Sequence, residues 1–201
     1  MSLAASYVPQ TIATQRPLVA WLSVVAGAML VMTLIVGAPL ALANDHPAIG
    51  LTIYRGFSKV CHQLPERSFF IAGHPFAVCA RCTGLYSGFT VALLAYPLIG
   101  SLKRTTAPPR KWLFLAALPL AVDFSLTFFG IWANTHTSRL LTGALLGSVA
   151  AFYVMPGVSD LALRGWRRGT VPSGLSLSSA VASNPIASTA PSDYSAPQRR
   201  I

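Results

Sequence analysis

Four long apolar runs restrict this chain to one kind of fold. Apart from Arg139 at the edge of the last run, they contain a single charged residue, Asp123. Each run approaches or exceeds the roughly 17 to 25 residues that a helix needs to cross a bilayer. The pattern predicts an all-α membrane protein, a bundle of four transmembrane helices at about residues 17–43, 83–100, 112–132 and 139–156.

The composition argues against a soluble protein and against a nucleic-acid-binding one. Hydrophobic residues make up 53% of the 201 residues and charged residues only 10%, too few to cover a soluble domain of this size. The net charge of +10 comes largely from basic residues at the ends of predicted helices, a placement that membrane topology explains. We therefore expect the lipid bilayer, and no nucleic acid, as the partner of this chain.

The same basic residues predict an orientation. They precede the first predicted helix, fill the connection between the second and third, and follow the fourth: Arg16, Lys103, Arg104, Arg110, Lys111, Arg164, Arg167 and Arg168. The positive-inside rule then places both termini and the 101–111 loop in the cytoplasm of a prokaryotic inner (plasma) membrane. The loop 44–82 is expected outside, although four basic residues in it weaken the charge difference.

The chain divides into two tails and a membrane domain. Residues 1–16 form a short N-terminal tail, and residues 17–168 form the membrane domain, which includes the loop 44–82. Residues 169–201 are rich in Ser, Ala and Pro, and such a composition buries too little apolar surface to fold. This C-terminal tail is therefore predicted to be disordered.

The first apolar run also has a second interpretation. It ends in Ala41-Leu42-Ala43-Asn44, which resembles the cleavage site of a signal peptide. The apolar core of a signal peptide is about 7 to 15 residues long, and this run is longer. A retained first helix is the preferred interpretation.

Two predicted helices carry small-residue motifs that favour close packing. Gly84 and Gly88 in the second, and Gly143 and Gly147 in the fourth, have the GxxxG spacing that lets helix backbones approach. Glycine is also common in transmembrane helices, so one motif alone is equally consistent with no special role. Together they predict a compact bundle, with a membrane-protein partner or a homo-oligomer through these faces as further options.

The loop 44–82 contains the residues most suited to chemistry. All three cysteines of the chain, Cys61, Cys79 and Cys82, lie within 22 residues, with two of the four histidines, His62 and His74. Two β-prone runs around a Gly-His-Pro turn predict an external hairpin that leads into Cys79. A CxxC motif followed by glycine is how zinc knuckles aim two thiolates at one ion, and Cys61 supplies a third. His62, or His74 as the alternative, would complete a Cys₃His zinc site.

Two other interpretations use the same cysteines. In a membrane thiol-disulfide oxidoreductase, Cys79 and Cys82 are the redox pair, Cys61 is the resolving thiol, Arg81 favours the thiolate, and a quinone takes the electrons. In a non-catalytic membrane scaffold, the cysteines pack as small hydrophobic residues. An odd number of cysteines favours a metal site or redox chemistry over a static disulfide. Whether the protein is an enzyme stays open.

A carboxylate near the middle of the third predicted helix needs a partner. An unpaired Asp123 would cost on the order of 2.5 to 3.5 kcal/mol in a bilayer. Arg139, at the outer start of the fourth helix, is the predicted partner in an intramembrane ion pair.

The topology predicts that the connection between the third and fourth helices lies on the same side of the membrane as the cysteine loop. Loops separated by two membrane crossings share a side, so residues 133–138 and the loop 44–82 face the same compartment. The side chains expected beside the cysteines on this ground, or by their position in the loop, are Asn134, Arg139, Arg67 and Arg81.

Two segments carry a recognisable signature, Cys61-His62-Gln63-x-Pro65-Glu66-Arg67-Ser68-Phe69 and Cys79-Ala80-Arg81-Cys82-Thr83-Gly84-x-Tyr86. It continues through Asp123, Gly130, Asn134 and Arg139-x-x-Thr142-Gly143-x-Leu145-x-Gly147. These residues resemble a prokaryotic family of predicted membrane proteins, domain of unknown function 2085. One departure is Phe124, where the family has glycine, which puts tight packing beside Asp123 in question. The resemblance implies a small multi-helix membrane protein with a Cys/His motif, and it implies no known reaction.

Overall fold

The computed structural model describes residues 10–169, and most of them are helical. The α-helices are α1 Gln10–Ala43, α2 Pro47–Phe57, α3 Ala80–Ile99, α4 Lys111–Phe128 and α5 His136–Gly169. The segment between α2 and α3 contains a 3₁₀ turn, Pro65–Arg67, and two short strands, β1 Phe70–Ile71 and β2 His74–Pro75. The predicted tails fall mostly outside the described residues, but residues 10–16 and residue 169 belong to α1 and α5.

Four of the helices are long and apolar enough to cross a membrane. The candidate spans are Gln15–Ala43, Ala80–Ile99, Lys111–Phe128 and His136–Leu163. Large apolar side chains cover their outer surfaces; Leu98, Phe114 and Leu161, for example, are more than two-thirds exposed. So large an exposed apolar surface is typical of helices that face lipid. The prediction of a mostly helical chain with four candidate membrane helices is confirmed.

Helix α5 is longer than the predicted fourth helix. The predicted end at Pro156 is wrong, because the helix continues through this proline to Gly169. Proline inside a membrane helix is tolerated where neighbouring groups satisfy the backbone carbonyl it leaves free. At the other end, the helix begins at His136, three residues before the predicted start.

Helix α4 is shorter than the predicted third helix, which was expected to reach residue 132. It ends at Phe128, because Gly130 adopts a positive φ of 69° that an apolar run does not reveal. The Ile131 amide donates to the Leu126 carbonyl at 3.0 Å and the Gly130 amide donates to the Thr127 carbonyl at 3.1 Å. This pair of bonds is the Schellman motif that closes helices at glycine. Asp123 therefore lies five residues from the end of its helix rather than near the middle.

Helices α3 and α5 make the closest contact in the fold. A methyl group added to any of four glycines would overlap the backbone of the opposite helix. The facing pairs are Gly84 with Leu140, Gly88 with Ala144, Gly143 with Arg81 and Gly147 with Leu85. Both GxxxG motifs are therefore used against each other within one chain, and a homo-oligomer would need other surfaces.

Helix α1 packs against α3 and carries the cysteine loop. The Trp21 indole Nε1–H donates to the Leu93 carbonyl at 2.8 Å, which ties the two helices together. Near the other end of α1, Ile35 is fully buried, and its carbonyl accepts a hydrogen bond from the Ala77 amide at 3.4 Å. These contacts give the first helix a structural role in positioning the loop.

The hairpin turns one residue earlier than the Gly-His-Pro pattern predicts. Ile71 pairs with His74 and Phe70 with Pro75, so His74 and Pro75 form β2 and only Ala72 and Gly73 form the turn. Both turn residues have positive φ, 49° and 80°, as the two-residue type I′ hairpin requires. The Tyr54 hydroxyl donates a hydrogen bond to the Pro75 carbonyl and so fastens the hairpin to α2.

We expect Gly88→Ala and Gly147→Ala to destabilise the protein by about 1 to 3 kcal/mol each, because the added methyl group collides with backbone. The matched control is Gly37→Ala in α1, where a methyl group would meet nothing within 4 Å. The measurement is thermal or denaturant unfolding of purified protein in detergent. A control as destabilised as the other two would contradict this account of the α3–α5 contact.

Candidate metal centre

The three cysteines meet at one point of the fold. Each offers one sulfur, and the three Sγ atoms of Cys61, Cys79 and Cys82 all lie within 4.8 Å of one another. All three are free thiols. Residues separated by 18 positions in the sequence therefore converge, as the clustering along the chain predicts.

The start of α3 explains how two of the thiols come together. Cys79 is the N-cap residue of this helix and Cys82 is the third residue inside it. Side chains at these two positions face one another, as the capping box shows. The CxxC spacing therefore places both sulfurs on one side of the helix start, and the Cys79 amide donates to the Cys61 Sγ at 3.3 Å.

The surroundings favour an ionised thiol at Cys79. Hydrogen bonds from the side chains of Cys61 and Cys82 hold the pKa of the Cys79 thiol well below its ordinary value, despite partial burial. The N-terminus of a helix also stabilises negative charge. A thiolate is the form in which cysteine binds metals and acts as a nucleophile.

Gln63 connects two parts of the fold beside the cysteines, a role that the sequence did not predict. Its side-chain amide donates to the Tyr54 carbonyl at 2.8 Å and to the Ala77 carbonyl at 2.7 Å. It thus joins α2 to the segment between β2 and Cys79. The sequence signals for this role were its place directly after Cys61-His62 and its membership of the family signature, and neither identifies the two carbonyls that it contacts.

Neither predicted histidine ligand joins the sulfur group. His62 is exposed and lines the cavity beside the cysteines, while His74 lies in β2. The group of potential metal ligands within the described residues consists of the three cysteines alone. His62 therefore borders the cavity of the cysteines without joining their sulfur group.

The predicted ion pair between Asp123 and Arg139 is wrong, because Asp123 pairs with Arg81. The Arg81 Nη2 donates to the Asp123 Oδ2 at 2.7 Å, and both side chains are largely buried. Asn134 donates to the same carboxylate at 2.5 Å and to the Asp123 carbonyl at 2.8 Å. The turn at Gly130 brings Asn134 back over the end of α4, which the sequence spacing did not show.

Arg139 and Arg67 line a cavity of about 670 Å³ next to the cysteines. The same cavity is lined by Arg81, Asn134 and all three cysteines. The four polar residues expected beside the cluster are thus among the residues that line this cavity. The rings of Phe69 and His136 are 5.7 Å apart, which confirms that the loop 44–82 and the start of α5 share one end of the bundle.

The fold and the site define a class: a membrane protein with several candidate spans and a three-cysteine cluster at one end of its helices. The chain belongs to the family of predicted membrane proteins named DUF2085, whose sequence model matches residues 61–153. This match begins at Cys61 and includes Asp123, Asn134 and Arg139. The resemblance found in the sequence is confirmed.

Two archaeal relatives are similar over most of their length. An uncharacterized protein of Methanocaldococcus jannaschii is 40% identical over 114 residues, which cover 57% of this chain and 73% of the relative. An uncharacterized protein of Methanothermobacter thermautotrophicus is 37% identical over 92 residues, 45% of this chain and 80% of the relative. No solved structure is significantly similar to this chain.

We expect Arg81→Ala and Asp123→Ala each to lower the free energy of unfolding, because either change leaves a poorly solvated ion without its partner. The double variant should lose less free energy of unfolding than the two single variants together, and the difference, the coupling energy, should be about 1 to 3 kcal/mol. The same cycle with Arg139→Ala in place of Arg81→Ala is the control and should be closer to additive. A stronger coupling of Asp123 to Arg139 than to Arg81 would contradict the observed pairing.

Proposed function

We propose that this protein binds a single metal ion, zinc, through Cys61, Cys79 and Cys82 at one end of its membrane helices. The observation that carries the proposal is the convergence of three free thiols within 4.8 Å. A tetrahedral zinc ion with Zn–S bonds of about 2.3 Å holds two sulfurs roughly 3.8 Å apart. The three sulfurs can reach this geometry with small side-chain movements.

The chemistry of the ligands supports zinc. Thiolates are soft ligands that favour zinc and related soft ions over magnesium or calcium. The Cys79 amide that points at the Cys61 sulfur supplies the kind of second hydrogen bond that orients a metal ligand. Three protein ligands leave the fourth position of a tetrahedral ion open, as in sites where zinc activates a bound water or substrate.

We expect the protein purified without chelators to contain about one zinc ion per chain, and Cys82→Ser to lose it together with folding stability. Elemental analysis and thiol titration are the measurements, and substitution with Co²⁺ adds an optical signal for thiolate ligation. His62→Ala and His74→Ala are the matched controls and should retain zinc. Wild-type protein that is free of metal and has three reactive thiols would rule the proposal out.

A membrane thiol-disulfide oxidoreductase is the second candidate function. The position of Cys79 at the N-terminus of α3, with Cys82 one turn along, favours it. A thiolate of a reduced partner protein would attack the Cys79–Cys82 disulfide with the Cys79 thiolate as leaving group, and the partner's second thiol would then release Cys82, so that the partner leaves with a disulfide. The Cys79 and Cys82 dithiol would pass two electrons and two protons to a quinone, which becomes the quinol, and the Cys79–Cys82 disulfide forms again.

The zinc experiment also separates these candidates. An oxidoreductase would be isolated without stoichiometric metal, and mild oxidation would lower the number of its titratable thiols from three to one, because one disulfide forms. A zinc protein would keep its thiols protected until the metal is removed. A chain that shows neither behaviour would be the non-catalytic scaffold.

We also propose that the cysteine end of the bundle faces outward from a prokaryotic plasma membrane. The connection between α3 and α4 contains Lys103, Arg104 and Arg110, and the positive-inside rule assigns such a loop to the cytoplasm.

Reporter fusions after Thr106 should score cytoplasmic and fusions after Gly73 extracytoplasmic. The control is a fusion after Gly169, at the end of α5, which should match the Thr106 fusion. An extracytoplasmic Thr106 fusion would invert the orientation.

A further inference from the structure

The cavity beside the cysteines is lined by positive charge. Arg67, Arg81 and Arg139 all line it, and none of the acidic residues that the structure describes does so. Guanidinium groups in a partly enclosed cavity attract anions with planar or tetrahedral oxygens, because they donate paired hydrogen bonds.

Two of the three arginines, Arg67 and Arg139, have no close acidic partner that would neutralise their charge in the part of the chain that the structure describes. Asp123 neutralises Arg81 at 2.7 Å. Arg67 meets Glu66 only at 4.0 Å, with both side chains about half exposed or more, and such contacts contribute little. Arg139 forms no ion pair with any acidic residue in the described part of the chain. A zinc ion with three thiolates would carry about one negative charge, which does not cancel two arginines.

The apolar side of the cavity is formed by α4. Phe124 and Phe128 line it and are 52% and 73% exposed, so their outer faces meet the surroundings of the bundle. Trp132, just beyond the end of α4, is also exposed. Trp and Tyr at helix ends are typical of the headgroup level of a bilayer, and Trp132 is such a residue. We infer that the arginines at this end of the bundle lie near the depth of the headgroups.

We propose that this cavity binds a phosphate or carboxylate anion, held by Arg67 and Arg139. A volume of about 670 Å³ is within the range of small-molecule sites. The anion would be either a small free molecule or the headgroup of an anionic amphiphile whose chain follows Phe124 and Phe128. The inference does not depend on the metal, because neither arginine is a metal ligand.

The test measures unfolding of the full chain with two probes. Inorganic phosphate is added to protein in phosphatidylcholine nanodiscs, and in parallel the protein is placed in nanodiscs that contain phosphatidylglycerol. Stabilisation by phosphate identifies a free anion, and stabilisation by phosphatidylglycerol alone identifies a headgroup. In either case, Arg67→Gln and Arg139→Gln should each raise the probe concentration needed for half of the stabilisation by about ten-fold or more. The reason is that each change removes a charge-assisted hydrogen bond.

The matched control is Arg55→Gln, which removes the same charge from the same loop outside the cavity. It should behave as wild type, and all three variants should retain zinc if the wild type binds it. The Arg67 side chain is about half exposed, so Arg67→Gln is expected to fold and tests the proposal even if Arg139→Gln does not fold. The proposal fails if neither probe stabilises the wild type, or if Arg55→Gln weakens the response as much as the cavity variants do.

Discussion

The close packing of α3 against α5 determines how the start of α3, with two of the cysteines, lies relative to Arg139 at the start of α5. Gly143 fits against the Arg81 carbonyl, one residue before Cys82, and Gly84 fits against the Leu140 carbonyl, one residue after Arg139. Helix backbones that touch without intervening side chains have little freedom to slide. The start of α3, which carries two cysteines, is therefore held beside the start of α5. A cysteine cluster and a cationic cavity at the same end of the bundle follow from this contact.

The ion pair of Asp123 with Arg81 ties a third helix to the same point. Asp123 belongs to α4, and without a partner a carboxylate so little exposed would be costly. Arg81 supplies that partner while it also lies between the two cysteines of the CxxC motif. Its guanidinium stacks over the Phe124 ring at 5.7 Å, at the position where the family resemblance led us to expect glycine. The larger side chain is thus accommodated by packing against the ion pair.

This end of the bundle combines a cluster of three cysteine sulfurs with a cavity lined by positively charged arginines. Three sulfurs lie within 4.8 Å of one another, and Arg67, Arg81 and Arg139 line the same cavity as these cysteines. If the cysteines hold a metal with an open coordination position, as we propose, the cationic cavity next to it is suited to binding an anionic ligand near the ion. The same arrangement would also suit an oxidoreductase, because a nearby positive charge stabilises a cysteine thiolate. Measurements of metal content and of thiol oxidation, rather than the geometry, therefore distinguish a zinc protein from an oxidoreductase.

The sequence alone determined the four candidate membrane helices of this protein and the members of its cysteine cluster, whereas α2 lies within the segment 44–82 that was expected to be a loop. Long uncharged runs can satisfy their backbone groups in a bilayer only as helices, so the four candidate spans were predictable, as was the grouping of Cys61 with the CxxC motif. The local pattern could not show that Gly130 ends α4 early, that the helix of α5 passes through Pro156, or that the hairpin turns at Ala72 and Gly73. Only the tertiary structure decided the partner of Asp123, the exclusion of His62 from the sulfur cluster and the bridging role of Gln63. Each of these depends on contacts between residues distant in sequence, and the helix packing that creates them has no counterpart in any single segment.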